Sequence, residues 1–178
     1  VTSYNGYIYV LGGVENSSYT GYVYKATVST SGEISGWMSQ TYLTNPRAYG
    51  GALAYGGYVY YVGGISGGYT STTYYAAIDA NGNIGTWNSG PTLPYSWAHG
   101  TLAVCNGYLY AISGIWNSMF DYKVYQSRLT SGVPGTWSMT TNLPGYRGYL
   151  SYDNLVYNNR IYVPGGLDGT NPTQTVYY

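Results

Sequence analysis

Charge is scarce in this chain. Of 178 residues only six are Lys or Arg and six are Asp or Glu, 7% in all, and the formal net charge is zero. A nucleic-acid-binding domain needs a basic stripe to neutralise phosphates; none is present, so nucleic acid is excluded as a partner. Histidine occurs once, as His99. That leaves a single possible imidazole base, and no strained nucleophile elbow surrounds any Ser, so a hydrolytic triad lacks its parts and no catalysis is expected. Cysteine also occurs once, so Cys105 forms no intrachain disulfide and leaves the redox compartment open. The longest uncharged apolar runs have the length of strands, so no membrane insertion is expected. The chain opens at Val1 without an initiator Met or a signal segment, which reads as a processed or excised product.

What is abundant is tyrosine and glycine, 27 of each, with five Trp against a single Phe. Tyr and Trp carry an apolar body and a polar tip, so they suit layers that are buried on one edge and wet on the other. A chain rich in Tyr, Gly, Ser and Thr and poor in charge is common on cell surfaces, and an extracellular or cell-surface location is expected from composition.

The stretch 57–64, Gly-Tyr-Val-Tyr-Tyr-Val-Gly-Gly, is written again at 6–13, 107–114 and 159–166, with starts 51, 50 and 52 residues apart. A fixed period of this length marks one supersecondary unit stacked on copies of itself. Within a copy, Ile8 and Val10 alternate with Tyr7 and Tyr9, so both faces of the strand are apolar or aromatic, as in a strand covered on each side by other layers. The closing pairs Gly12-Gly13, Gly63-Gly64 and Gly165-Gly166 free the backbone to leave the strand at dihedrals closed to other residues. The third copy reads Ser113-Gly114, one Gly short.

Aligning the copies predicts four strands per repeat. Strand A covers 49–55 and 99–105, strand B is the recurring stretch, and strand C covers 72–78 and 22–28. Strand D follows a tight turn at 80–83 and is centred on Trp87. Trp37, Trp87 and Trp137 stand 50 residues apart, as do Leu43, Leu93 and Leu143. Cys105 replaces Tyr55 in strand A and is expected to be a buried filler rather than a reactive thiol. On an outer strand the repeated Trp would wedge between neighbouring sheets.

Four antiparallel strands at this period, a double Gly after strand B and a Trp in strand D resemble the kelch repeat of β-propellers, over the whole chain. The gap from the strand C Tyr (Tyr24, Tyr74) to the Trp is longer than the usual kelch spacing, because the C–D hairpin is extended. The resemblance implies an all-β propeller of four-stranded antiparallel blades: blade 1 at 1–40, blade 2 at 41–90, blade 3 at 91–140 and an incomplete blade 4 at 141–178, about three and three-quarter blades. Two extra residues around 151–155 are expected as a bulge or loop, and Pro164 removes one ladder donor. Unpaired strand edges are a liability. Excision from a six- to eight-bladed parent is the expected origin, with self-association of two chains the expected state of this piece and a small four-bladed ring the alternative.

Kelch-type blades also carry copper in galactose-oxidase-like enzymes, but that site needs two His and a Cys-linked Tyr, and one His cannot supply it. No metal or cofactor is implied. The segment 79–83, Asp-Ala-Asn-Gly-Asn, resembles a calcium loop, but the equivalent turns lack its ligands and no Glu follows at the twelfth position, so a hairpin turn is expected. Its likeness to the Asp box of sialidase propellers fails on the spacing of Gly85 to Trp87. Asn16-Ser17-Ser18 fits a glycosylation acceptor, which matters only in a host that glycosylates.

In kelch propellers that bind proteins, residues entering strand A lie at the channel mouth. The resemblance therefore points to Arg47 and Tyr49, Trp97 and His99, and Arg147 and Tyr149 as a ligand-binding set. They change type between repeats while the scaffold residues recur, and Arg, Trp and Tyr are the types that form interface hot spots. The expected function is a non-catalytic recognition scaffold for a protein ligand. One alternative is a glycan-binding or adhesion module using Tyr19, Tyr69 and Trp116 in B–C loops; another is a self-assembling structural fragment.

Overall fold

The structure is a computed structural model that describes residues 1–150, 155–169 and 171–178. Among them there are strands and turns and no helix. The first repeat lays down β1 (Thr2–Tyr4), β2 (Tyr7–Glu15), β3 (Ser18–Val28) and β4 (Ile34–Ser39) as an antiparallel sheet in chain order. The second does the same with β5 (Gly51–Tyr55), β6 (Tyr58–Val62), β7 (Thr73–Ala77) and β8 (Asn88–Gly90). A third sheet joins β9 (Thr101–Cys105), β10 (Tyr108–Trp116), β11 (Met119–Thr130) and β12 (Val133–Met139). In the fourth repeat β13 (Val156–Tyr157) pairs with β14 (Arg160–Ile161), and β15 (Val163–Pro164), one residue further along the same stretch, pairs with β16 (Val176–Tyr177). Pro164, opposite Val176, brings no N–H to the ladder. The two-residue insertion expected around 151–155 falls mostly on residues outside the described ones.

Turn chemistry explains the register. Asn5-Gly6, Gly56-Gly57, Asn106-Gly107 and Asn158-Asn159 all have positive φ at both positions, the type I′ geometry whose twist matches the strands it joins. Asn16-Ser17 and Asn117-Ser118 do so too, which lets β2 and β10 run on into β3 and β11. The B–C connections of repeats one and three are therefore tight hairpins rather than loops.

The sheets stack face to face, which is the arrangement of a β-propeller-like fold. Tyr9, Leu11 and Val23 of the first sheet meet Val59, Tyr61, Tyr74 and Trp87 of the second. Tyr60 and Val62 of the second meet Leu109, Tyr125 and Trp137 of the third, and Ile112 and Val124 of the third meet Val163 in the fourth repeat. Residues 59–62 of β6 are each at most 2% exposed, as a strand covered on both faces requires. Cys105 is also buried, in β9. The hydroxyls of the deepest tyrosines still find partners: Tyr9 donates to Gly82 O and Tyr60 to Gly132 O, each at 2.9 Å, across to the C–D hairpin of the next repeat. Burial pushes the Tyr9 hydroxyl up to about 12.

Two expectations about tryptophan need correction. Trp87 stands one residue before the short β8 rather than at its centre. Trp37 is 51% exposed, whereas Trp87 and Trp137 are 8% and 5% exposed. The cause is direction: each outer-strand Trp leans on the preceding sheet, and no described residues form a sheet in front of the first.

The Gly pairs serve as latches between repeats. A Cβ on Gly12 or Gly63, both in the left-handed region, would stand 2.4 or 2.2 Å from the carbonyl of Arg47 or Trp97. The following N–H groups of Gly13, Gly64 and Gly114 donate to the carbonyls of residues 47, 97 and 147 at 2.8, 2.8 and 2.7 Å. Ser113 holds φ +53° in the third copy, and its hydroxyl donates to Arg147 O at 2.6 Å. Gly165 and Gly166 keep the same left-handed geometry, and a Cβ on Gly166 would crowd Gly148 O at 2.9 Å.

Candidate functional site

The segments that lead into β5, β9 and the fourth repeat alternate sharply. Ala48, Ala98 and Gly148 are pinned by backbone bridges to Ile65, Ile115 and Leu167. The residue before each bridge turns into the protein, and the residue after it turns out.

Arg47, Trp97 and Arg147 are the inward set, at 1%, 2% and 3% exposure. This corrects the expectation that they face a ligand. Arg47 is held by neutral acceptors: its Nε donates to Asn45 O at 3.0 Å, and Nη1 to Gly63 O at 3.1 Å and to Thr72 Oγ1. Its guanidinium lies 4.8 Å from the centre of the Tyr74 ring, a desolvated cation–π contact. Arg147 repeats the arrangement over Tyr177 at 4.5 Å and donates from Nη1 to Tyr146 O at 2.6 Å, but its buried Nε has no partner. Trp97 donates from its indole to Ser113 O and fills space above Gly51, Gly63 and Gly100, where added Cβ atoms would meet its ring at 3.0, 2.8 and 2.3 Å.

Tyr49, His99 and Tyr149 are the outward set. All three hold φ between +54° and +62°, a conformation that costs a bulky residue about 1–3 kcal/mol. They are brought together. The Tyr49 and His99 rings stack at 4.6 Å and 29°, and His99 and Tyr149 lie 4.7 Å apart at 51°. Backbone bonds run along the row, from His99 N to Tyr49 O at 2.8 Å and from Leu150 N to His99 O at 3.0 Å. With Val1, Gly50 and Ala52 they line an open depression of about 530 Å³ beside the inner strands. Tyr49 and Tyr149 are half exposed. The result is a continuous aromatic surface of three rings, with no acidic or basic side chain among the described residues of its lining.

Burial holds the His99 imidazole below the ordinary histidine value. The unfolded chain then binds a proton at higher pH than the folded one, so stability rises with pH between the two values and falls on acidification below about pH 6.5. An NMR titration is expected to place the His99 midpoint below that of a free histidine; a midpoint at or above it would contradict the packing described.

The glycan-stacking candidates are not brought together. Tyr19 lies on β3 just past its turn, Tyr69 lies in the loop between β6 and β7, and Trp116 ends β10, and among the described residues they share no ring contact. Trp116 is partly buried against Tyr95 at 5.5 Å and lies 5.6 Å from the Lys123 ammonium. Tyr95 in turn donates to the Asp121 carboxylate, and burial first, then that bond, keeps its hydroxyl protonated.

The segment 79–83 is a self-capped hairpin. Asp79 Oδ1 accepts the N–H groups of Asn81 and Asn83 at 2.8 Å each, and Oδ2 accepts Asn83 Nδ2 at 3.0 Å. The bonds from Asn83 hold the Asp79 carboxyl below its ordinary range. Lys25 of the first sheet ties the turn down through Asn81 O at 2.8 Å and Asn83 Oδ1 at 2.7 Å.

No protein-family model matches this chain, and no curated protein matches it. Among solved structures, that of YjhT superposes with a TM-score of 0.63 at 15% identity, over 83% of this chain and 51% of that one. At this identity the likeness concerns the fold alone, and the chain spans about half the length of YjhT.

Proposed function

We propose that the chain is part of a kelch-like β-propeller, about three and three-quarter blades of it, that acts outside the cell as a non-catalytic recognition module for a protein ligand. The ligand seat is the row Tyr49, His99 and Tyr149. The observation that carries this reading is their shared left-handed backbone. Three repeats spend strain at the same position to hold large rings outward, and strain of this kind persists where the surroundings enforce it and function uses it. Rigid aromatic rings on a fixed scaffold lose little entropy on binding. Arg47, Trp97 and Arg147 support the seat from below rather than touching the ligand.

The test separates recognition from folding. Peptides selected by display on the immobilised chain are measured against Y49G/H99G/Y149G, which relieves the strained dihedrals. The melting temperature is expected to hold or rise while affinity for most selected peptides falls at least about tenfold. Retained affinity across the set would place the seat elsewhere.

A second reading, a self-assembling structural piece, is supported by the first sheet. Trp37, Met38 and Tyr24 there are exposed, although Tyr74 and Tyr125, the equivalents of Tyr24, are buried. A mass in solution that doubles with concentration and reverts on Trp37→Ala would favour it.

A further inference from the structure

The tips of the β2–β3 and β10–β11 hairpins share one geometry and differ in chemistry. Asn16 and Ser17 hold φ of +47° and +64°, and Asn117 and Ser118 hold +46° and +66°. Both pairs close the same two-residue turn. The residue that follows is Ser18 in the first tip and Met119 in the second. Asn-x-Ser is the pattern read for attachment of an N-linked glycan, and it needs the hydroxyl two residues after the Asn. Nowhere else in the chain is the pattern complete: Asn117 lacks the hydroxyl, and Asn171-Pro172-Thr173 is barred by its central Pro.

The structure presents this segment. Asn16, Ser17 and Ser18 are exposed, and so are Asn117, Ser118 and Met119. The second tip belongs to a sheet packed on both faces, against the second sheet and against the fourth repeat. A hairpin tip in this fold therefore clears its neighbours even where the stack is full on either side. The Asn16 amide is also uncommitted: among the described residues it makes no hydrogen bond, whereas Asn83, in another exposed turn, gives its amide to Asp79.

We propose that Asn16 is an acceptor for an N-linked glycan. The co-reactant is a lipid-linked diphosphate oligosaccharide, used by a membrane-bound transferase. Asn16 Nδ2 forms a C–N bond to the anomeric carbon of the first sugar. The bond from that carbon to the diphosphate oxygen breaks, the diphosphate leaves with its electron pair, and an amide proton passes to a base of the transferase. No oxidant or reductant enters. The glycan stands at the end of the first sheet where Gly13 N bonds Arg47 O, the end that also carries the segment leading to Tyr49. The site uses no residue of the Tyr49 row, so either can fail without the other.

The test takes the folded 178-residue chain as substrate for a purified transferase with a fluorescent lipid-linked oligosaccharide, read by gel shift and peptide mass mapping. One glycan on Asn16 is expected. Asn16→Gln and Ser18→Ala each lose it, while Met119→Ser gains a second glycan on Asn117, the same turn with the missing hydroxyl supplied. Melts followed by circular dichroism should be unchanged in all three variants, because every altered side chain is exposed. A folded chain that stays bare while a peptide of residues 11–22 is glycosylated would overturn the proposal, since the pattern would then be present and not presented. So would a glycan that survives Asn16→Gln in the otherwise unaltered chain.

Discussion

Truncating Trp137 to alanine lowers the unfolding free energy by about 3–5 kcal/mol, and Trp87→Ala does the same, while Trp37→Ala costs under about 1 kcal/mol. The three residues hold equivalent places in the repeat, so intrinsic propensity does not separate them. Burial does. Trp137 lies among Tyr60, Val62 and Leu93 of the preceding sheet and donates to Thr73 Oγ1 at 3.0 Å as well as to Pro91 O. Its loss opens a cavity that rigid neighbouring sheets cannot close, and it leaves two acceptors without a donor. Trp37 is half exposed in β4, and its ring is already in water. Denaturant midpoints of the three variants at unchanged slope provide the comparison; equal shifts at all three would show that the sheets do not stack in this order.

The second large effect concerns the buried row. Replacing Arg47, Trp97 and Arg147 together by alanine is expected to unfold the chain rather than leave a folded protein without ligand affinity. Trp97→Ala alone costs about 3–5 kcal/mol. Arg47→Ala costs about 2–4 kcal/mol, since Gly63 O, Thr72 and Tyr74 all lose the cation that satisfies them. Arg147 differs. One of its donors is buried without a partner, a penalty already present in the folded state, so Arg147→Met is expected to stay within about 1 kcal/mol of the parent. Circular dichroism melts of the single variants read this order directly. A stable, fully folded triple variant would mean that the inward turn of these side chains is wrong.

Two local features explain why one row turns inward and its neighbour outward. Residues 47 and 49 have the same parity along an extended chain, so a strand reading puts both on one face. The left-handed dihedral at Tyr49 breaks that parity, and nothing in the residue type announces it, because a Tyr at positive φ is rare. The bridge from Ala48 to Ile65 lies in a segment with no strand pattern of its own. The period, the both-faces-apolar stretch at 57–64 and the wedge at Trp87 were all legible, because each repeats one physical constraint at a fixed spacing. The I′ turns could have been read from Asn5-Gly6 and Asn106-Gly107. The exposure of Trp37 could not be read from a repeat alignment, since it depends on which way the indole leans. Ser113 shows the same limit: a side chain stands where the other copies have Gly, and its hydroxyl donates to the Arg147 carbonyl.

The sheets stack in chain order, with the Trp87 and Trp137 indoles each closed against the sheet before it and Trp37 left in water. Hydrogen exchange of the indole N–H groups, resolved by NMR on the ¹⁵N-Trp-labelled chain, tests this most directly. The Trp87 and Trp137 indole protons should exchange at least about a hundredfold more slowly than that of Trp37, because only their hydrogen bonds are sealed from water. One common rate for Trp37, Trp87 and Trp137 would contradict it.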